Sequence, residues 1–206
     1  YDLAITDPPY GIGGGNKLFT GGRDKCPSAK QIGLNPNIIY KDWDNNIPRQ
    51  NYFAALMRVS KNQIIWGGNY FIELLYNSPC WLVWDKLNGE YSSADCELAW
   101  SSFKTAVRKF EYKWAGFMQG DMKNKELKFH PTQKPVKLYE WLLKNYAKEG
   151  DKILDTHFGS GSIAIACYNL GFDLTAFEID TEYYERALKR LEEHKKQQRL
   201  FDNEPI

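Results

Sequence analysis

Closely spaced cysteine and histidine residues, which mark most metal and disulfide sites, are missing from this sequence. The four cysteines are scattered without a C-x-x-C pair, and the three histidines show no ligand spacing relative to them. Zinc sites need such short spacings, and disulfide-stapled domains need paired cysteines. We therefore expect no metal ion, and reduced thiols in a cytoplasmic protein. The residues concerned are Cys26, Cys80, Cys96, Cys167, His130, His157 and His194.

Long apolar runs and a strong net charge are also missing. The longest apolar runs, such as residues 163–167, fall far below the roughly 20 residues of a membrane-spanning helix, and no signal-peptide pattern opens the chain. The net charge is only +1, so the whole chain gives no electrostatic sign of a nucleic-acid partner. The 206 residues, 43% of them hydrophobic, suffice for one domain with a full core. We expect a soluble single domain over residues 1–206, with no membrane partner.

Positive charge is nevertheless concentrated in one segment, residues 101–137. This segment holds nine lysines and arginines against three acidic residues, so the remainder of the chain is net acidic. Basic groups interleaved with aromatic rings suit phosphate neutralisation and base stacking, although a solvated hairpin with a basic face is the alternative. The aromatic residues are Phe103, Phe110, Tyr112, Trp114 and Phe117. The candidate nucleic-acid-binding residues are Lys104, Arg108, Lys109 and Lys113.

Short runs of β-branched and aromatic residues alternate with amphipathic stretches, which predicts an α/β fold. Several of the runs are apolar on both faces, as in a largely parallel sheet. Strands are expected at residues 2–6, 63–66, 81–84, 97–100, 108–114, 152–155 and 174–178. Helices are expected at residues 49–59, 70–76, 136–147, 162–170 and 182–198.

The segment 11–46 is rich in Gly, Asn and Lys and carries no clear strand or helix pattern. Loops of that length inside a compact domain are usually functional, so we expect a long mobile loop beside the site. The chain begins with Tyr1 rather than Met, one residue before a strand, which suggests that an N-terminal strand is missing.

The first chemical signal is the stretch Thr6-Asp7-Pro8-Pro9-Tyr10-Gly11, directly after an apolar run. Proline lacks an N–H, has a fixed φ and forces an extended conformation on the residue before it, so the strand stops here. The strand therefore leads into a rigid loop that offers the Asp7 carboxylate and the Pro8 carbonyl as acceptors beside the Tyr10 ring. The alternative is a proline-terminated strand with an incidental tyrosine.

The second signal is a predicted strand that runs through Gly159-x-Gly161 directly into a helix. Such a corner lets a ligand approach the backbone amides at a helix N-terminus without a Cβ in the way. Glu178 ends the next strand about twenty residues later, where a carboxylate can bind both hydroxyls of a ribose. Because Ala164 completes a loose dinucleotide fingerprint, an NAD-binding oxidoreductase is a rival interpretation. For Glu178 the alternative is a solvated acid at a strand end.

Together these motifs resemble those of the amino-DNA methyltransferases, in the permuted β-class order in which the catalytic motif precedes the cofactor motif. The resemblance rests on DPPY at residues 7–10, HPTQKP at residues 130–135 and ILDTHFGSGS at residues 153–162. It extends nearly end to end, because the segments NQIIWGGNYF, WLVWDK and DCELAW look like further motifs of that class.

The resemblance implies an S-adenosylmethionine-dependent methyltransferase (Rossmann-like) fold, with a seven-stranded, mostly parallel sheet and helices on both faces. It implies transfer of a methyl group to the exocyclic amine of a base flipped out of double-stranded DNA. Asp7 and the Pro8 carbonyl would accept the two amine hydrogens, with Pro9 shaping the loop. Tyr10 would stack on the base, which needs its ring and not its hydroxyl. No metal is required.

The resemblance also assigns a cofactor site for S-adenosylmethionine. Its methionine and adenosine would be lined by Asp155, Phe158, Gly159, Gly161 and Glu178. Thr132 and Lys134 would face the methionine carboxylate, unless Lys134 only closes a strand-to-helix turn. The family more often has Pro and Phe where Thr156 and His157 stand, which leaves open the ring that covers the cofactor, and we assign no catalytic role to His157.

Asp in the first position of the tetrapeptide is more typical of adenine enzymes, so we expect an adenine-specific enzyme, with N4-cytosine methylation as the alternative. A catalytically silent DNA-binding module is a further rival. Residues 101–129 are the candidate target-recognition region, which makes Lys104, Arg108, Lys109 and Lys113 candidate DNA contacts. The resemblance implies a bacterial or phage-infected cell and restriction-modification, and it is compatible with a homodimer.

The C-terminal pattern Gln197-x-x-Leu200-Phe201 has two interpretations. In the first interpretation, Leu200 and Phe201 fold back onto the domain as a hydrophobic cap contact of the last helix. Alternatively, the pattern looks like the peptides that bacterial replication proteins insert into the sliding clamp, which would make the clamp a partner.

Overall fold

The computed structural model describes residues 1–13, 38–89, 94–115 and 118–202, with side chains described as far as residue 197. Most of the loop predicted over residues 11–46 therefore lies outside the described residues. The elements, in chain order, are β1 (Leu3–Thr6), α1 (Gln50–Val59), β2 (Asn62–Trp66), a 3₁₀ turn (Gly68–Tyr70), β3 (Trp81–Asp85), β4 (Cys96–Ser101), β5 (Arg108–Glu111), β6 (Trp114–Ala115), β7 (Met118–Gln119), α2 (Val136–Tyr146), β8 (Lys152–Asp155), α3 (Ser162–Leu170), β9 (Asp173–Ala176) and α4 (Thr181–Asp202).

One sheet contains seven of these strands, in the order β5-β3-β4-β2-β1-β8-β9. Each neighbouring pair is parallel except the two made by β4, which runs antiparallel to both β2 and β3. The prediction of a seven-stranded, mostly parallel sheet is confirmed. The carboxyl ends of the neighbouring strands β1 and β8 lie at the same edge, which is where open α/β sheets bind ligands.

Both faces of the sheet are buried around its central strands. Alternate residues of each strand point to opposite faces. On β1, Leu3 and Ile5 belong to one cluster of buried side chains and Ala4 belongs to the other. Side chains of α2, α3 and the start of α4 complete the first cluster, and α1 completes the second. Helices therefore cover both faces, as predicted, and this explains why residues 3–5 are apolar without alternation.

The prediction of a helix over residues 70–76 is wrong. The chain forms only a 3₁₀ turn at Gly68–Tyr70 and continues as turns and irregular structure. Gly67, just before the turn, has a φ of 70°, and a Cβ added there would lie 2.1 Å from a carbon of the Tyr10 ring. The backbone bends sharply here beside that ring, so a tertiary contact overrides the local helical pattern.

Three boundaries also differ from the predictions. The strand predicted over residues 108–114 is divided into β5 and β6, and β6 pairs with β7 in a separate two-stranded sheet. β9 ends before Phe177, whose N–H donates to the Asp155 carbonyl and whose carbonyl accepts from Phe158. α4 extends past residue 198 to Asp202. Among the described residues no helix is long and apolar enough to cross a membrane.

Candidate functional site

The loop after β1, residues 6–11, forms what we call the carboxylate corner. The Asp7 carboxylate is held on both sides: Tyr10 Oη donates to Oδ1 at 2.5 Å, and Lys134 Nζ donates to Oδ2 at 2.5 Å. The Asp7 side chain is only 16% exposed. Burial raises the pKa of Asp7, and the Lys134 charge opposes that rise. The corner thus presents a carboxylate of fixed orientation whose oxygens each retain acceptor capacity.

Tyr10 is fixed from three directions. Its backbone N–H and that of Gly11 donate to Asp44 Oδ1 at 2.6 and 2.9 Å, and the Asp44 side chain is itself buried. Its ring stacks on Tyr70, with centroids 5.0 Å apart and planes 16° apart. Its hydroxyl is bound to Asp7. The hydroxyl is therefore part of the corner, which the sequence reasoning did not anticipate.

A second carboxylate shares the ammonium group that binds Asp7. Lys134 Nζ lies 3.0 Å from Glu97 Oε2, and Lys86 Nζ lies 2.6 Å from Glu97 Oε1. The Lys134 side chain is 3% exposed. Although burial opposes it, the Lys134 and Lys86 charges lower the pKa of Glu97 to about 2. Lys134 contacts the catalytic candidate Asp7, and its expected contact with the cofactor stays a prediction.

The loop between β8 and α3, residues 155–161, forms the glycine corner. The Gly159 N–H donates to Glu178 Oε2 at 2.7 Å, and the Asp180 N–H donates to Glu178 Oε1 at 3.0 Å. A Cβ at Gly159 would meet only the His130 ring, at 3.7 Å, so the space beside this amide is open. A Cβ at Gly161 would lie 2.9 Å from the Ala187 Cβ. Gly159 leaves room for a ligand, whereas Gly161 lets α4 pack.

Burial favours the uncharged form of two titratable side chains at the glycine corner. Asp155 Oδ1 accepts from the His157 N–H at 3.0 Å. Burial, together with the charges of Asp7 and Glu178, raises the pKa of Asp155 to about 7. Burial lowers the pKa of His157 to about 4, so its imidazole is neutral near pH 7.

A cluster of hydroxyl groups joins the two corners. Thr6 Oγ1 lies 2.7 Å from Thr156 Oγ1, and Tyr52 Oη of α1 lies 2.7 Å from Thr156 Oγ1 and 3.2 Å from Thr6 Oγ1. His157 Nδ1 lies within 3.2 Å of both threonine hydroxyls. Because β1 and β8 are hydrogen-bonded neighbours, these contacts fix the distance between Asp7 and the glycine corner.

The remaining cofactor candidates take different positions. Phe177 and Ile179, on either side of Glu178, are 57% and 100% exposed, and apolar side chains there suit a flat aromatic ligand. The Phe158 ring is buried in the core, so only its backbone is available to a ligand. The Thr132 hydroxyl lies 3.2 Å from His130 Nδ1.

The candidate DNA contacts lie far from both corners in the sheet order. Arg108 and Lys109 are exposed on β5, the edge strand four positions away from β1, and Lys104 precedes that strand. Lys113 follows the strand and is half-buried. Lys109 Nζ contacts Glu111 and lies 3.6 Å from Asp85, so its charge is partly neutralised within the protein.

The aromatic residues of this segment have a structural role. Phe110 packs against the Trp141 ring of α2 at 5.4 Å, and Phe103 packs against Tyr146 at 5.0 Å. Trp114 is buried, and its indole N–H donates to the Gln133 carbonyl at 2.8 Å. These rings face the core, which contradicts the expectation of a base-stacking surface. Phe117 lies outside the described residues.

The C-terminal pattern is described only in part. Gln197 is an exposed residue of α4. The side chains of Leu200 and Phe201 lie outside the described residues, so the hydrophobic cap and the sliding-clamp contact both stay predictions.

Sequence reasoning missed several residues that build the site. Asp44 and Tyr52 belong to no recognised motif, and their contacts with the corners come from distant parts of the chain. Gly67, Lys86 and Glu97 do lie in the segments NQIIWGGNYF, WLVWDK and DCELAW. The resemblance of those segments was the available signal, but it assigned them no roles.

The family model of the N6/N4 DNA methylases matches residues 75–189, more than half of the chain. Among curated proteins, the type II methyltransferase M.HpaI of Haemophilus parainfluenzae is 42% identical over 69 residues, which are 34% of this chain and 22% of that protein. The type II methyltransferase M2.DpnII of Streptococcus pneumoniae is 43% identical over 63 residues, 31% of this chain and 24% of that protein. The chain thus covers less than a quarter of either relative.

Solved structures show the same fold. M1.HpyAVI, in its complex with SAM, has a TM-score of 0.54 and 21% sequence identity, covering 92% of this chain and 88% of that one. The PvuII DNA methyltransferase (cytosine-N4-specific) has a TM-score of 0.55 and 14% identity, covering 95% of this chain and 83% of that one. At these identities the likeness concerns the fold.

Proposed function

The chain belongs to the N6/N4 DNA methylase family, and we propose that it transfers the methyl group of S-adenosylmethionine to the exocyclic amine of a base in double-stranded DNA. The observation that carries the proposal is the oriented Asp7 carboxylate, held by Tyr10 and Lys134 beside a glycine corner. The hydroxyl contact between Thr6 and Thr156, at 2.7 Å, ties the acceptor to the ligand-binding loop.

Asp7 and Pro8 act on the target amine. The lone pair of an exocyclic amine is conjugated with its ring, which makes the nitrogen a poor nucleophile. Accepting one amine hydrogen at the Asp7 carboxylate and the other at the Pro8 carbonyl favours a tetrahedral nitrogen and frees the lone pair. The Tyr10 ring stacks on the extruded base, an interaction of about 1–3 kcal/mol that offsets part of the cost of flipping. Positioning and fixed acceptors supply the catalysis.

The glycine corner fits S-adenosylmethionine. Glu178 would bind the ribose hydroxyls, Gly159 would offer open backbone, and the exposed Phe177 and Ile179 would contact the adenine. Buried Asp155 lies at the centre of this corner. When bound, the cofactor would supply an electrophilic sulfonium methyl group and keep the electrons of the broken C–S bond as a thioether, while the proton that the alkylated amine loses passes to the Asp7 carboxylate. The protein's own task is to hold the amine and the donor in line and to exclude water.

The base is proposed to be adenine, because Asp7 stands in the first position of the tetrapeptide. N4-cytosine methylation is the alternative, since both bases present an exocyclic amine. The NAD-binding oxidoreductase accounts for the glycine corner but leaves Asp7 without a function. A silent DNA-binding module leaves the same arrangement unexplained.

Methyl transfer from isotopically labelled S-adenosylmethionine to duplex DNA tests the proposal directly. After digestion to nucleosides, mass spectrometry is expected to find the label in N6-methyladenine. Label in N4-methylcytosine would identify cytosine, and not adenine, as the substrate base. Absence of labelled nucleosides from DNA that contains all short sequence contexts would contradict methyl transfer itself.

A further inference from the structure

Four alternating charges run from the target-facing carboxylate into the sheet. Asp7 contacts Lys134, Lys134 contacts Glu97, and Glu97 contacts Lys86, with closest nitrogen–oxygen distances of 2.5, 3.0 and 2.6 Å. Glu97 lies on β4 and Lys86 directly follows β3. The chain of charges thus links the loop after β1 to two strands on the other side of β2.

The ammonium group of Lys134 lies among three oxygen atoms. It donates to Asp7 Oδ2 at 2.5 Å and to Tyr10 Oη at 3.3 Å, and it lies 3.0 Å from Glu97 Oε2. Two of its three donors are used by the hydrogen bonds, whereas the contact with Glu97 is an ion pair in which that buried oxygen accepts no hydrogen bond. The group also lies over the Trp66 ring, 5.4 Å from its centroid, which limits its movement.

Glu97 is the group that makes this arrangement electrically balanced. An ammonium shared between two carboxylates is held between them, whereas an unpaired buried charge is costly. Lys86 supplies the matching positive charge for Glu97 and is itself only 15% exposed. The four groups are therefore neutral as a set, and the orientation of each depends on its neighbours.

We propose that Glu97 is a positioning residue for the methyl-transfer reaction, which holds the Lys134 ammonium against Asp7 so that this carboxylate stays correctly oriented. The inference rests on the proposed function, in which Asp7 accepts an amine hydrogen. It gives Lys134 a role at the catalytic carboxylate. Glu97 and Lys86 thereby gain roles in a reaction whose reacting atoms they do not touch.

The charged and titratable groups that act on Asp7 come from every element around it. They are Tyr10 in its own loop, Tyr52 of α1, Glu97 of β4, Lys134 before α2, Tyr139 of α2 and Asp155 at the end of β8. Within this described set Lys134 is the cation. Removing it leaves Asp7 buried among acidic and neutral groups, which favours the protonated form of the carboxyl.

The pH dependence of kcat/KM distinguishes a positioning role of these ion pairs at Asp7 from a purely structural one. The acid limb of that profile reports the pKa of the essential free-enzyme carboxyl. In Lys134→Met we expect the limb to move to higher pH by about 1–3 units, the usual effect of losing a nearby opposite charge. Lys134→Arg keeps the charge, so its limb should stay near that of wild type even where kcat falls.

Glu97→Gln should change different quantities in the two backgrounds. In wild type it releases Lys134, and we expect kcat to fall about 10- to 100-fold without an alkaline shift of the limb, as misplaced catalytic groups do. In Lys134→Met it removes the carboxylate that repels Asp7, so the limb should move back toward wild type. Lys189→Met, an exposed member of an ion pair on α4, is the matched control with no expected change.

Direct titration of Asp7 by carbon-detected NMR, with Asp7→Asn to assign its signal, keeps the inference separate from the proposed function. The Asp7 titration should move upward in Lys134→Met and return in the double variant, whether or not methyl transfer is detected. Unchanged titration in Lys134→Met, or the same effect of Glu97→Gln in both backgrounds, overturns the inference. Absence of methyl transfer in wild type, with the titration shifts intact, overturns only the proposed function.

Discussion

The carboxylate corner and the glycine corner follow neighbouring parallel strands, but they differ in the groups that they would offer to a ligand. In the proposed function, the first corner acts mainly through the Asp7 carboxylate, which Tyr10 and Lys134 fix. At the second corner, Gly159 would offer backbone without a side chain beside the Glu178 carboxylate. The first corner would therefore depend mainly on charge and the second mainly on space.

The proposed function accounts for this difference. A group that accepts an amine hydrogen must present negative charge in one orientation, which takes several partners of defined charge. A loop that receives a nucleoside must let the ligand approach the main chain closely. We therefore expect the carboxylate corner to be sensitive to isosteric changes of charge, and the glycine corner to be sensitive to added volume.

Replacement of Asp7 and of Glu178 by their amides should give the largest effects. The first variant should lose methyl transfer and the second should lose cofactor affinity. Asp7→Asn keeps the volume but replaces an acceptor with a donor, so we expect methyl transfer to fall about 10³-fold or more. Cofactor affinity, measured by calorimetry, should change less than about threefold, because in the proposed function Asp7 acts on the target amine.

Glu178→Gln is the reciprocal variant. It weakens the contacts to the ribose and to Gly159, and we expect about 10- to 100-fold weaker cofactor binding, the usual cost of a hydrogen bond to a charged group. Equal loss of cofactor affinity in Asp7→Asn and Glu178→Gln would contradict the division between the corners.

Tyr10 should show two separable contributions. Because its hydroxyl donates to Asp7, Tyr10→Phe is expected to lower kcat about tenfold, whereas the sequence alone suggested a mild effect. Tyr10→Ala also removes the stacking ring and should cost a further 10-fold or more, about 1–3 kcal/mol. Wild-type kcat in Tyr10→Phe would show that the hydroxyl contact has no part in the reaction.

Two glycines of α3 provide a matched test of added volume. Gly161 and Gly171 flank the helix with φ values of 71° and 73°, so an alanine at either position meets the same backbone strain. A Cβ at Gly161 also approaches the Ala187 Cβ to 2.9 Å, whereas none of the described atoms lies within 4 Å of a Cβ at Gly171. We expect Gly161→Ala to lower the free energy of unfolding by about 1–3 kcal/mol more than Gly171→Ala does, measured by urea denaturation.

The smallest expected effect concerns the basic segment on β5. Lys113→Ser should reduce the slope of log Kd against log salt by about one unit if Lys113 contacts a phosphate. Lys109→Ser should reduce it less, because Glu111 and Asp85 already share that charge. Lys61→Ser, at the amino-terminal edge of the sheet and paired with Asp2, is the control. Unchanged slopes in both test variants would place the DNA path elsewhere.

Local sequence was sufficient where backbone chemistry decides the structure. The two prolines ended β1, and the glycines opened the loop after β8. The seven strand positions were recovered from short runs rich in β-branched and aromatic residues, although β1 and β2 are buried on both faces and β5 is mostly exposed. Local sequence failed at residues 70–76, where a helix was predicted and did not form. The chain bends just before this segment, at Gly67, against the Tyr10 ring. Local sequence failed again for Phe110 and Trp114, because spacing in sequence does not show whether a ring faces solvent or α2.

The sequence by itself determined the class of the chain, the two corners and the candidate residues at them, because prolines, glycines and strand-end acids act through the backbone next to them. Tertiary structure alone decided which groups act on those residues. Lys134 and Glu97 reach Asp7 from segments about 90 or more positions away, and Asp44 holds Tyr10 from 34 positions away. Sequence order carries no such distances, since the folded sheet brings those side chains together and burial makes their charges depend on one another.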